Sequence, residues 1–147
     1  MKASHRLPVL ALVTATSVVV APWVRAQHFD EWSDPVNLGP AVNSAFFEVC
    51  PSITRDGLSL YFGSNRPGGL GAVDVYVSRR SSLADPWGPP VTLGPVVNSS
   101  ANENCPFVTP DGHTLLFLSN RPGSMGIDLY MSTRRHQHDD LAWAAPI

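Results

Sequence analysis

One unit is written twice in this chain, and that repetition limits the fold more than any other feature. Trp32, Trp87 and Trp143 are spaced by 55 and 56 residues. Asn43-Ser44 returns as Asn98-Ser99, Cys50-Pro51 as Cys105-Pro106, and Asp56-Gly57 as Asp111-Gly112. Ser64-Asn65-Arg66-Pro67-Gly68 returns as Ser119 to Gly123, and Asp74-x-Tyr76 as Asp128-x-Tyr130 after a one-residue deletion. More than half of the aligned positions are identical, so each unit is one structural element stacked on its neighbour.

Within a unit the pattern predicts four short strands. Pro51 to Thr54 forms the first, closed by Arg55-Asp56-Gly57, where glycine takes positive φ cheaply. Leu58 to Ser64 is the second, with Leu60 and Phe62 on one face and Ser59 and Tyr61 on the other. The Gly/Pro run from Asn65 to Gly71 is a loop. Asp74 to Arg79 alternates again, and Trp87 to Leu93 supplies a fourth strand whose prolines suit an edge. The second unit repeats this from Cys105 through Trp143. The fold class is therefore all-β, two four-stranded antiparallel blades of an incomplete β-propeller.

The segments CPSITRDGLSLYFGSNRPGGLGAVDVYVSRR and CPFVTPDGHTLLFLSNRPGSMGIDLYMSTRR resemble the WD-repeat-like propeller repeats of the TolB family. Those repeats carry a Pro-Ser-x-Ser-Pro-Asp-Gly turn, a Tyr-Phe strand, an Arg-Pro-Gly-Gly loop and an Asp-x-Tyr strand. The cysteines before Pro51 and Pro106 depart from that pattern. The resemblance implies a periplasmic or secreted propeller serving as a binding platform, sometimes beside cell-wall-binding domains. It does not imply catalysis.

Residues 1–26 read as a secretory signal peptide: a basic start at Lys2, His5 and Arg6, an apolar run from Leu7 to Val20, and Val24-Arg25-Ala26 before the cut. Removing Lys2, Arg6 and Arg25 from 10 basic residues leaves 7 against 12 acidic ones, a net charge of −5. That acidic remainder, 27–147, disfavours nucleic acid and anionic lipid as partners. No other stretch is apolar enough to span a membrane. Export to the periplasm or outside permits a Cys50–Cys105 bridge, because inner strands of adjacent blades converge; two buried free thiols are the alternative.

The blades fall at about 50–93 and 105–147, preceded by an orphan outer strand at 31–38. Propellers close at roughly four to eight blades. A longer gene product or a homo-oligomer completing the ring would supply the remainder.

Residues shared by both units read as architecture before chemistry. Asp56 and Asp111 fit turn carboxylates, and Arg66 and Arg121 fit intrablade pairs with Asp74 and Asp128. The ligand-facing candidates are Glu48 and Glu103, placed at a channel mouth, with Asn43, Asn98, Arg66 and Arg121. No residue is assigned as catalytic or as a metal ligand, and no cofactor is expected. His136-Gln137-His138-Asp139-Asp140 has metal-like composition but reads as a solvated loop. The expected function is an exported, non-catalytic module that binds a protein or a cell-wall glycan. A sugar-active enzyme of the sialidase or lyase kind, or a two-blade lectin forming a ring, are the alternatives.

Overall fold

The computed structural model describes residues 32–147, so the expected signal peptide lies outside the described residues. The described residues are all-β, with two antiparallel sheets and one four-residue helix. The first sheet has the order β1-β2-β3-β4, formed by Glu48–Ile53, Ser59–Ser64, Asp74–Arg79 and Val91–Thr92. Helix α1, Gly94–Val97, follows. The second sheet, β5-β6-β7, comprises Glu103–Val108, Thr114–Ser119 and Asp128–Thr133.

The central strands lie where alternation placed them, while the outer limits differ. β1 begins at Glu48 rather than Pro51, because Cys50-Pro51 is a bulge inside the strand: the β1–β2 register shifts between Val49 and Ser52. The same shift separates Asn104 from Phe107. Cys50 and Cys105 sit at φ 51° and 47°, a region uncommon for residues bearing a Cβ. The fourth strand shrinks to two residues, since Pro89 and Pro90 have no N–H to give a ladder. In the second repeat residues 144–147 only run alongside β7, with Ala144 N–H on Thr133 C=O and Met131 paired to Ile147. Residues 32–38 form no strand.

Both faces of the first sheet are buried. Leu60, Phe62 and Tyr76 cluster with Val42 and Trp87 on one side. Tyr61, Val75 and Val77 join Leu93, Val97, Val108, Leu115, Phe117 and Trp143 on the other, in a core that both repeats build. Cys50 and Cys105 are disulfide-bonded with their Cα atoms 4.6 Å apart, tying β1 to β5. Trp87 and Trp143 are buried, whereas Trp32 is fully exposed.

Candidate functional site

Each repeat closes its loops with two arginine clamps. Arg66 donates to Val42 C=O at 2.7 Å and pairs with Glu48 at 2.8 Å, its guanidinium 5.0 Å from the Phe62 ring centre. Arg121 repeats this on Val97 C=O, Glu103 and the Phe117 and Tyr130 rings. The second clamp is Arg80, which donates to Gly57 C=O and lies 4.4 Å from the Trp87 ring centre. Arg134 holds Gly112 C=O and Trp143 in the same way.

These contacts correct the arginine pairing expected from sequence. Asp74 instead accepts the Leu70 and Gly71 backbone N–H groups, and Met125 N–H donates to Asp128. A carboxylate three or four residues downstream of an irregular loop satisfies its backbone donors locally, which leaves the guanidinium free for the strand-opening glutamate. Glu48 and Glu103 therefore point at Arg66 and Arg121 rather than into an open channel; Glu103 is fully buried. Burial raises the Glu48 carboxyl, but hydrogen bonds from Ser44 and Arg66 outweigh it and hold the group below the ordinary range.

Asn98 is buried on the backbone of Val75, while Asn43 is exposed. Asp56 and Asp111 occupy the expected turns: Thr54 and Thr109 hydroxyls donate to them at 2.6 Å, as do the N–H groups of Leu58 and His113. Those bonds, led by the threonine hydroxyls, lower both carboxyls.

The residues that break the repeat gather elsewhere, at one end of the interface between the sheets. Asp140, in the loop expected to be solvated, is completely buried. It accepts from the Tyr61 hydroxyl, from Arg79 and Arg134, and from the Ser59 hydroxyl at 3.0 Å. Tyr61 corresponds to Leu116 and Arg79 to Thr133, so the second repeat has no such cluster. Burial pushes the Asp140 carboxyl up, yet hydrogen bonds from Tyr61 and Arg134 and the charge of Arg79 bring it below the ordinary value. Burial and the Asp140 charge drive the Tyr61 phenol strongly upward.

Next to this cluster, at Ser59, opens a cleft of about 230 Å³, lined among others by Thr54, Arg55, Asp56, Ser59, Gln137 and His138. His138 Nδ1 stands 3.7 Å from Asp56 Oδ2. Among the described residues, no three His, Cys, Asp or Glu side chains are grouped to hold a metal ion. The hydroxyl, amide, imidazole and guanidinium groups around it can hydrogen-bond a polar ligand. Sequence reasoning missed Asp140 because three of its four partners, Ser59, Tyr61 and Arg79, lie 61 to 81 residues away. Its one signal was that the 136–140 loop departs from the repeat.

No protein-family model matches the chain, and no curated protein matches it.

Proposed function

We propose that the two sheets are blades of a TolB-like β-propeller and that the chain is an exported, non-catalytic binding or scaffold module. The observation that carries this reading is the division of labour between shared and unshared residues. The shared carboxylates and arginines are spent on equivalent internal contacts in both repeats, which supports an architectural role for them. Of the residues lining the cleft beside Asp140, Arg55, Ser59, Gln137 and His138 differ between the repeats, so recognition falls to them. Their mixed donors and acceptors suit the hydroxyls and amides of a cell-wall glycan.

The test is retention of the full chain on immobilised cell-wall glycan, compared with His138→Ala and Gln137→Ala. The reading expects unmodified glycan to be bound by the wild type and at least about tenfold more weakly by each variant, the worth of one or two hydrogen bonds. Glycan cleavage by the wild type, or binding indifferent to both substitutions, would overturn it.

A further inference from the structure

Inside the molecule, the face of the first sheet carrying Val75 and Val77 is covered by the second repeat. The contact includes a specific clasp. Asn98 Oδ1 accepts from Val75 N–H at 2.9 Å, and its Nδ2 donates to Val75 C=O at 3.0 Å and to Thr92 Oγ1 at 2.7 Å. Glu103 N–H donates to Val73 C=O, and Asn102 forms a parallel bridge with Val73.

The second sheet presents the same face uncovered among the described residues. Leu129, the counterpart of Val75, is 72% exposed where Val75 is 0%. Ile127, Met131 and Phe107 beside it are exposed as well. Met131 N–H and C=O bond Ile147 on the side away from β6, and strand residues two apart point the same way. Leu129 N–H and C=O therefore also stand on that outer side, ready for a clasp. Gly126 has open space where Gly71 meets the Ala101 carbonyl.

The complementary half of the contact is on the first repeat. Asn43 is the counterpart of Asn98, and its Nδ2 donates to Asn37 Oδ1 at 3.0 Å, just as Asn98 does to Thr92. That bond orients the amide, and among the described residues its Oδ1 accepts nothing. Ile53 is 51% exposed where its counterpart Val108 is 4%. Leu38 is exposed where Leu93 is buried, and Phe46 and Phe47 are half open beside Asn43.

We infer that the outer face of the second sheet docks the first repeat of a second copy of this chain, with Asn43 of one copy clasping Leu129 of the other. This rests on reading the repeats as blades. The two surfaces differ, so the contact is head to tail, a kind that closes into a ring when the rotation allows. Four to eight blades per ring, the usual range, corresponds to about two to four copies.

Light scattering of the full chain over a concentration series tests this, with circular dichroism to confirm folding. The wild type should form one discrete oligomer. Leu129→Asp and Ile53→Asp should each be folded monomers, and Asn43→Ala should weaken association about tenfold. Mixing Leu129→Asp with Ile53→Asp should give a dimer and nothing larger, since one intact surface remains on each chain. A folded wild type that stays monomeric, or an oligomer that survives Leu129→Asp, overturns the contact without touching the blade reading. The blade reading fails on a separate result: Asn98→Ala leaving the stability of the monomeric Leu129→Asp chain unchanged.

Discussion

Asp140 shows how one unshared residue can decide the packing between two repeated units. Its carboxylate is fully buried and balanced by Arg79 and Arg134, and removing one partner from such a group typically costs about 3–5 kcal/mol. Asp140→Asn should lose about that much in urea unfolding at pH 7. The pH dependence has a definite sign. The folded-state value is depressed, so the ion pairs contribute fully above the unfolded carboxylate value of about 4, and the contribution fades as pH falls through the lower folded value. The gap between wild type and Asp140→Asn should therefore narrow at pH 3 and below; a gap that stays constant would show that charge has no part in it. The sequence could not place this residue, since a buried carboxylate inside a polar loop looks like any solvated one. The turn carboxylates Asp56 and Asp111 were legible because their partners lie within a few residues.

At the level of elements, the interior strands were readable and their borders were not. β2 and β3 alternate cleanly, and their positions agree with the pattern to within a residue. β1 starts earlier than alternation suggests because a bulge at Cys50-Pro51 breaks the period of two. The pairing of Arg66 with Glu48 was hidden for a related reason: the loop after β2 takes Asp74 for its own backbone. That loop also packs tightly against the second repeat. A Cβ on Gly71 would stand 1.7 Å from the Ala101 carbonyl oxygen, an overlap with backbone that cannot swing aside. Gly71→Ala should then cost on the order of 1–3 kcal/mol, while Gly126→Ala, with nothing within 4 Å, should be close to neutral in the monomer. Urea midpoints of the two variants in the monomeric Leu129→Asp background make the comparison, and equal effects would contradict the packing of loop on repeat.

For the molecule as a whole, the decisive fact is that the larger core belongs to both repeats. Val75 and Val77 come from the first sheet, Leu115 and Phe117 from the second, and separating the sheets would expose all of them at once. Burying each such side chain is worth roughly 1.5–3 kcal/mol, so neither repeat can keep its share alone. The Cys50–Cys105 bridge adds to this coupling by closing a loop of 55 residues, worth roughly 4 kcal/mol in the chain-entropy model. Trp87 packs in the cluster confined to the first repeat and Trp143 in the shared one, which makes them independent reporters. With Trp23 and Trp32 both replaced by Phe, urea unfolding followed by fluorescence in Trp143→Phe, which leaves Trp87, and in Trp87→Phe, which leaves Trp143, should each give a single transition. Within either variant that transition should coincide with circular dichroism, because the sheets come apart together. Reductant should lower the stability seen by both reporters by about the same 4 kcal/mol, since the bridge acts on the unfolded chain as a whole rather than on one sheet. A Trp143 signal that melts well before the β signal would instead mean that the repeats part while the first sheet survives, and the shared core would not be what holds the molecule together.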